Sequence, residues 1–189
     1  MNVVLGSASP RRRDLLQQLG LEFEVIAPEI DESPLQGEAP VAYVLRLAEA
    51  KSAAIEASAD ALVITADTTV DLDGEILGKP VDAAEAAAML RRLSARTHRV
   101  HTGVALRRGD RLVSEVTTSL VTFTPLTAEA IDWYIATGEP LDKAGAYAVQ
   151  GAGGVFVQRV MGSVSSVVGL PLHTVMRLAG ELGVTLIAD

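Results

Sequence analysis

Several residue types are scarce or missing in this chain, and each absence excludes a class of protein. None of the 189 residues is cysteine, which excludes disulfide bonds and thiolate metal sites. Aromatic residues make up only 4% of the chain, so its core is expected to consist of small aliphatic side chains. No apolar run approaches the roughly 20 residues that a membrane-spanning helix needs. The composition therefore predicts a globular protein that does not insert into membranes.

Positive charge is also in deficit. The formal net charge is −8, whereas nucleic-acid-binding domains usually carry a basic surplus, so nucleic acid is not an expected partner. The chain begins with a short apolar run before its first arginines, the reverse of the order in a secretory signal, and we expect a cytoplasmic protein. A length of 189 residues with 49% hydrophobic residues suits one domain over residues 1–189.

Short apolar runs alternate with amphipathic segments through the first half of the chain, and paired strands follow. Strands are predicted over Val3–Gly6, Phe23–Ile26, Ala61–Ala66, Thr69–Leu72, Glu75–Leu77, His98–Leu106, Leu112–Phe123 and Val155–Val160. Helices are predicted from Pro10 to Leu19, over Ala39–Ser58, from an Asp82 cap to Leu93, from a Thr127 cap to before Gly138, and over Leu172–Leu182. This order indicates an α/β fold with a mixed sheet.

Three arginines, Arg11 to Arg13, stand in the first turn of the first predicted helix. The N-terminus of a helix already carries a partial positive charge, so cations there are unfavourable unless an anion lies among them. Free backbone N–H groups, the helix dipole and guanidinium groups together form a phosphate site, to which Ser7 and Ser9 can add hydroxyl groups. The alternative is that the arginines point into solvent. The position of Ser7-Ala8-Ser9-Pro10 directly after a strand favours the phosphate site.

Two acidic positions follow predicted strands. Asp67 comes at the end of the strand Ala61–Ala66, and Glu32 follows the strand Phe23–Ile26. Ligands of open α/β sheets bind at the carboxyl ends of strands, where a carboxylate can hold a metal or accept a proton from water. Taken singly, Asp67 could instead be a turn residue and Glu32 part of a solvated loop.

Polar residues elsewhere could complete a nucleotide site. Lys79, between a glycine and a proline, and Lys51, on the second predicted helix, could contact phosphate oxygens, although Lys51 could equally be a surface lysine. Gln150 lies in a glycine-punctuated loop over residues 138–154 and could either read a base edge or bind backbone. His98, His101 and His173 lack metal-ligand spacing and are interpreted as structural. Glycine-rich dinucleotide, P-loop and serine-hydrolase motifs are absent.

Four segments, SASPRRRDLLQQLG, TADTTVDLDGEILGKPVDAAEAAAMLRRLS, DKAGAYAVQG and GSVSSVVGLPL, closely resemble the Maf family of nucleotide pyrophosphatases. They occur in the family's order and span nearly the whole chain. The resemblance implies an ITPase-like α/β fold, with an elongated mixed β-sheet flanked by helices and two lobes around a central cleft. Within the family, the chain is similar to the branch that acts on dTTP and UTP, and the family is often dimeric.

The resemblance also implies roles for individual residues. Asp67 is the expected catalytic carboxylate and, with Glu32, a ligand of Mg²⁺ or Mn²⁺. Arg11, Thr68 and Gln150 fall where that branch carries its substrate-selecting residues, while Ser7, Arg12 and Lys79 match positions around the phosphates. The sequence departs from the family at Thr65-Ala66, Ala148-Val149 and Val164, and Val164 could alter the lining of the cleft.

The expected reaction is attack of water on the α-phosphorus of a nucleoside triphosphate, which gives the monophosphate and pyrophosphate. The alternatives are a related enzyme that acts on 7-methyl-GTP or modified purine nucleotides, and a non-catalytic nucleotide-binding regulator of septum formation. A pure binding protein would not need Glu32 and Asp67 beside the phosphates. A panel of nucleotides assayed with a divalent metal would separate these functions.

Overall fold

A seven-stranded mixed sheet forms the centre of the molecule in a computed structural model, which describes residues 2–187. Its strands are β1 Val3–Gly6, β2 Glu24–Val25, β3 Leu62–Leu72, β4 Glu75–Leu77, β5 Thr97–Arg108, β6 Arg111–Phe123 and β7 Val157–Met161. The helices are α1 Pro10–Gln17, α2 Pro40–Ala53, α3 Ala83–Leu93, α4 Ala128–Ala136, α5 Val164–Val168 and α6 Leu172–Glu181. Three 3₁₀ helices cover Glu139–Asp142, Ala144–Ala146 and Ala152–Phe156. The predicted α/β fold with a mixed, helix-flanked sheet is confirmed.

The strands lie in the order β2-β1-β3-β5-β6-β7, and β4 pairs with β3. On one edge of β3, the parallel strand β1 pairs with Leu62–Thr65 and the antiparallel strand β4 pairs with Val70–Leu72. Residues 66–69 therefore have no strand beside them on this edge within the described chain, while β5 continues along the opposite edge. The sheet has an opening at the middle of its central strand.

The two faces of the sheet are covered differently. Helix α2 covers one face, where Thr65 Oγ1 donates to the carbonyl oxygen of Ala48 at 2.7 Å and Gly103 lies against the α2 backbone. A Cβ atom at Gly103 would lie 2.3 Å from the carbonyl oxygen of Val44, so only glycine permits this approach.

The other face carries two hydrophobic clusters. The first packs α1, α5 and α6 against Leu62, Ile64 and Ala66 of β3, and the second packs α3 and α4 against Val70 and Leu72. The change from one cluster to the other occurs at residues 67–69, beside the opening in the sheet. This arrangement matches the two-lobed fold that the family resemblance implies.

The hairpin turn and two helix caps that were predicted from the local sequence are present in the structure. Asp73 and Gly74 both have positive φ, at 59° and 90°, and join β3 to β4 in the predicted hairpin. The side chain of Asp82 accepts a hydrogen bond from Glu85 N at 2.8 Å, and that of Thr127 accepts one from Ala130 N at 3.2 Å, as predicted for helix caps.

Several predicted boundaries were wrong. Helix α2 ends at Ala53, not Ser58, because the chain turns there to bury Ile55 against Val4 and Val63. The predicted strand Phe23–Ile26 is reduced to Glu24–Val25. The last strand begins at Val157, because the residues before it form a 3₁₀ helix whose first N–H groups bind the carboxylate of Glu139.

The largest correction concerns β3. Asp67 was predicted at the end of a strand over Ala61–Ala66, with a second strand from Thr69, but the structure has one continuous strand from Leu62 to Leu72. Pairing with β5 from Leu62 to Asp71 holds the strand together through the polar residues between. The prediction failed because three polar residues, Asp67 to Thr69, interrupt the apolar pattern. Across residues 2–187, every helix is too short or too polar to cross a bilayer.

Candidate active site

The opening beside residues 66–69 of β3 leads into a cleft with a volume of about 450 Å³. The strand β1 ends at Gly6 on one side of it, and the segment after β4 forms the other side. All the residues predicted for substrate, metal and catalysis line this cleft: Ser7, Arg11, Arg12, Glu32, Lys51, Asp67, Thr68, Lys79 and Gln150. Residues from six separate parts of the chain are thus brought together, and their individual roles remain predictions.

The cleft has the opposite charge balance from the whole molecule. Five cationic side chains line it against three carboxylates, in a chain whose net charge is −8. The cations are Arg11, Arg12, Lys51, Lys79 and Lys143, and the carboxylates are Glu32, Asp67 and Asp142. A local surplus of positive charge in a narrow cleft attracts anions. The ligand that this electrostatic pattern favours is therefore anionic.

Arg12 is the most constrained of these cations. Its Nε donates to the carbonyl oxygen of Gly169 at 2.8 Å, its Nη1 to Ser7 Oγ at 3.1 Å and its Nη2 to Thr68 Oγ1 at 3.2 Å. Burial lowers the pKa of Arg12, while the charge of Asp67 opposes that effect. A guanidinium has five N–H donors, so these contacts leave two for a ligand. Arg12 is thereby held rigidly, with donors still free to bind an anion.

The first turn of α1 adds backbone donors next to Arg12. Pro10 occupies the first helical position, and the first intrahelical bond runs from Arg13 N to Ser9 O at 3.2 Å. The N–H groups of Arg11 and Arg12 precede that bond and so have no partner within the helix. Ser9 makes no side-chain cap; instead Ser7 Oγ accepts from Ser9 N at 3.2 Å. Arg11 lines the cleft, whereas Arg13 is exposed and does not.

Lys51 connects the two acidic residues of the cleft. Its Nζ lies 2.6 Å from Glu32 Oε1 and 2.6 Å from Asp67 Oδ1, and its side chain is only 8% exposed. The interpretation of Lys51 as a surface lysine is therefore wrong: α2 presents it to the middle of β3. Burial opposes ionisation of Glu32, but Lys51, with Lys79 and Arg12, lowers its pKa below the ordinary value. Lys51 thus holds the two carboxylates close together.

The loop that carries Glu32 depends on polar contacts with α2. None of residues 27–39 is fully buried, so apolar packing does not fix this loop. Tyr43 Oη donates to the carbonyl oxygen of Glu32 at 2.9 Å, and Arg46 Nη2 donates to that of Ser33 at 3.2 Å. Arg46 also forms a bidentate pair with Glu38, with distances of 2.6 and 2.7 Å. Helix α2 therefore holds the loop as well as Lys51.

A second anchor fixes the loop that carries Gln150. The carboxylate of Glu139 accepts from Ala152 N at 3.2 Å and from Gly153 N at 2.9 Å. Tyr134 Oη, which is fully buried, accepts from Ala148 N at 3.2 Å. Gln150, between these contacts, is exposed at the cleft. The loop backbone is thus held on both sides of Gln150 while its side chain stays accessible.

The sequence did not point to several residues that shape the cleft. Tyr43 belongs to no motif, and Gly169 was not singled out within the segment GSVSSVVGLPL, because each acts through a contact with a residue distant in the chain. Thr102 and Ser166 lie behind Thr68 and are fully buried. Lys143 and Tyr147 belong to the loop whose composition had indicated a functional segment, and both line the cleft.

The histidines have structural environments where they are buried. His98 Nε2 lies 2.7 Å from Tyr147 Oη, among the rings of Phe123 and Tyr147. His101 bridges Asp71 and Thr118 at 3.1 and 2.8 Å. His173 is exposed on α6. Within residues 2–187, no group of three or more His, Asp or Glu side chains is arranged to hold a metal ion by itself.

Comparison with known proteins identifies the family of this chain. The model of the Maf family, described as Maf-like protein, matches residues 2–182. The chain belongs to the Maf family. The match includes every cleft residue described above, from Ser7 to Gly169, and the resemblance inferred from four segments is confirmed.

Relatives in the family are similar over nearly their whole length. A dTTP/UTP pyrophosphatase of Myxococcus xanthus is 54% identical over 185 residues, covering 97% of this chain and 94% of the relative. One of Symbiobacterium thermophilum is 47% identical over 182 residues, covering 96% of this chain and 94% of the relative. Among solved structures, a HAM1 protein from Coxiella burnetii matches with a TM-score of 0.45 and 17% identity, covering 65% of this chain and 73% of that chain.

Proposed function

We propose that this protein hydrolyses dTTP and UTP to the nucleoside monophosphate and pyrophosphate, with the help of a divalent metal ion. One observation carries the proposal: Glu32 and Asp67, held together by Lys51, line the same positively charged cleft as the donors of Arg12. The names of relatives that are 47–54% identical support the choice of substrate. A cytoplasmic location is a prediction from the sequence, and a homodimer is what the resemblance to a family that is often dimeric implies.

The donor set at Glu32 and Asp67 suits a divalent cation. Mg²⁺ in nucleotide sites usually takes one or two carboxylates and completes its shell with phosphate oxygens and water. Lys51 contacts one oxygen of each carboxylate, Oε1 of Glu32 and Oδ1 of Asp67. Because no third carboxylate or imidazole of the described residues joins Glu32 and Asp67, a metal would need water and phosphate oxygens to complete its shell. When bound, a divalent cation neutralises charge on phosphate oxygens and lowers the pKa of a coordinated water.

Arg12 and the first turn of α1 would bind the phosphates. Negative charge accumulates on the leaving pyrophosphate during attack at the α-phosphorus, and prearranged donors stabilise it most when they need not reorganise. The contacts of Arg12 with Gly169, Ser7 and Thr68 provide that rigidity. Lys79, exposed at the cleft, would add a mobile cation.

Asp67 would orient the attacking water and accept its proton. Its side chain is 11% exposed and lies within the cleft, while Lys51 holds its Oδ1 at 2.6 Å. Arg11, Thr68 and Gln150 would contact the base, since a site with polar groups rejects a base that leaves those groups unpaired. The base, the phosphates and the metal would thus contact different side chains of the cleft.

The test is an assay of Asp67→Asn beside the wild-type protein on a nucleotide panel with Mg²⁺ or Mn²⁺. The panel contains dTTP, UTP, CTP and 7-methyl-GTP, and chromatography identifies the monophosphate and pyrophosphate. We expect the wild type to prefer dTTP and UTP, and the variant to lose turnover by roughly 10²–10⁴-fold because the water loses its proton acceptor.

The folded state and nucleotide binding of Asp67→Asn should be retained, because an asparagine oxygen can still accept from Lys51. Turnover of Asp67→Asn near the wild-type rate would refute the role of Asp67. Faster wild-type hydrolysis of 7-methyl-GTP would favour the purine-directed enzyme. Binding of nucleotides without hydrolysis in either metal would favour the septum-formation regulator.

A further inference from the structure

The hydroxyl groups of Thr68 and Thr102 form a chain in which the direction of every proton is fixed. Thr102 Oγ1 lies 2.8 Å from the carbonyl oxygen of Ser166, which can only accept, so Thr102 donates its single proton there. Thr68 Oγ1 lies 2.9 Å from Thr102 Oγ1 and must therefore be the donor of that pair. The proton of Thr68 consequently points away from the cleft.

The lone pairs of the Thr68 hydroxyl are also partly occupied. Arg12 Nη2 donates to Thr68 Oγ1 at 3.2 Å, and a guanidinium has no acceptor to offer in return. A hydroxyl oxygen has two lone pairs, of which Arg12 occupies one. Thr68 lines the cleft and is partly exposed, so it presents only its remaining lone pair to a ligand. Towards the cleft, Thr68 is an acceptor and not a donor.

This polarity selects the kind of group that can approach Thr68. Phosphate oxygens are acceptors and would be repelled by a second acceptor, so the triphosphate is a poor neighbour for this oxygen. An N–H group can donate a hydrogen bond to Thr68 Oγ1. The N3 atom of uracil and thymine carries a hydrogen, whereas N3 of cytosine carries a lone pair.

We propose that Thr102 is a positioning residue for base selection, on the basis of the function proposed above. By accepting the proton of Thr68, it makes Thr68 an acceptor that binds N3–H of uracil or thymine and disfavours cytosine. Thr102 and Ser166 are both fully buried, so neither contacts substrate, and their effect passes through Thr68 alone. Whether Thr68 accepts or donates towards the cleft thus depends on the carbonyl group of Ser166 in α5.

Thr102→Val tests the proposal, because valine has the same shape as threonine and lacks the hydroxyl. Without an acceptor behind it, Thr68 can turn its proton towards the cleft and donate to N3 of cytosine. We expect the ratio of kcat/KM for UTP to that for CTP to fall by about tenfold or more, the effect of one hydrogen bond. A loss of folding stability alone would lower both rates and leave the ratio unchanged.

Thr102→Ser is the matched control, since serine keeps the hydroxyl and should retain the wild-type ratio. If folded Thr102→Val shows the wild-type ratio of UTP to CTP turnover, the proposal is wrong. The same conclusion follows if Thr102→Ser loses the selectivity to the same extent as Thr102→Val.

A second measurement uses the wild-type protein and does not depend on the folding of a variant. The triphosphate of 3-methyluridine lacks the N3–H group, whereas that of 5-methyluridine keeps it and carries a methyl group of the same size. We expect the 3-methyl compound to be turned over at least tenfold less efficiently than the 5-methyl compound. Equal turnover would overturn this inference and leave the proposed function intact, whereas failure to hydrolyse UTP at all would overturn the function itself.

Discussion

Lys51 holds the two acidic side chains of the cleft together through a single ammonium group. It lies 2.6 Å from an oxygen of each, and Asp67 is as buried as Lys51 itself. Two neighbouring carboxylates repel each other, and the cation between them reduces the electrostatic cost of placing both in the cleft. A divalent cation would compete with the Lys51 ammonium for the carboxylates of Glu32 and Asp67.

Lys51→Met is expected to lower stability in EDTA and to make stability dependent on metal. Breaking a buried ion pair costs about 3–5 kcal/mol, and we expect less here, on the order of 2 kcal/mol, because the Glu32 side chain is 49% exposed. Mg²⁺ or Mn²⁺ should raise the melting temperature of the variant more than that of the wild type, as measured by calorimetry. Lys143→Met, which removes another cleft cation, serves as the control. Wild-type stability of Lys51→Met in EDTA would contradict the prediction.

Helix α2 is the element that organises the acidic side of the cleft. It packs on the sheet through Gly103, presents Lys51 to β3, and holds the loop over residues 27–39 through Tyr43 and Arg46. Bidentate hydrogen bonds from Arg46 lower the pKa of Glu38 to about 2, so this pair stays ionised at any pH suitable for an assay. The sequence predicted the helix from its apolar periodicity, but not its end or the partners of its polar residues.

Arg46→Met should release the loop and so weaken the proposed metal site at Glu32. Substituting a residue that orients a metal ligand typically lowers metal affinity by about 10–100-fold. We therefore expect the Mg²⁺ concentration for half-maximal activity to rise by about tenfold in Arg46→Met. Mn²⁺ binding, measured by electron paramagnetic resonance, provides a readout that is independent of turnover. Arg92→Met removes a comparable bidentate pair with Glu75, exposed on the β3–β4 hairpin, and should change neither quantity. An unchanged Mg²⁺ requirement in Arg46→Met would show that the loop is held by other means.

At the scale of the whole molecule, the two hydrophobic clusters stabilise the sheet on either side of the cleft, and the second contains a buried histidine. Burial lowers the pKa of His98 to about 4 from an ordinary 6.5, because the charged imidazolium would be desolvated. The unfolded chain therefore binds one more proton than the folded chain between these values. The contribution of neutral, buried His98 to the free energy of unfolding is therefore complete above pH 6.5, and it should be lost progressively as the pH falls to about 4.

This loss amounts to about 3 kcal/mol for His98, the equivalent of the pKa difference. His98→Gln keeps a side chain able to hydrogen-bond Tyr147 but does not titrate, so its unfolding free energy should fall less between pH 7 and pH 4. Urea unfolding of both proteins across this range measures the difference. His173→Gln, at an exposed position, should behave as the wild type. Parallel pH profiles for wild type and His98→Gln would show that His98 does not carry this dependence.

The sequence by itself determined the local features: the strand and helix patterns, the Asp73-Gly74 turn, the Asp82 and Thr127 caps, and the accumulation of cations at the start of α1. These depend on residues close together in the chain, whose backbone preferences act wherever the fold places them. Only the tertiary structure decided that β3 runs through Asp67, that Lys51 is buried between two acids, and that Arg12 binds Gly169, 157 residues away. Such contacts follow from the relative positions of whole elements, which the periodicity of one segment does not specify.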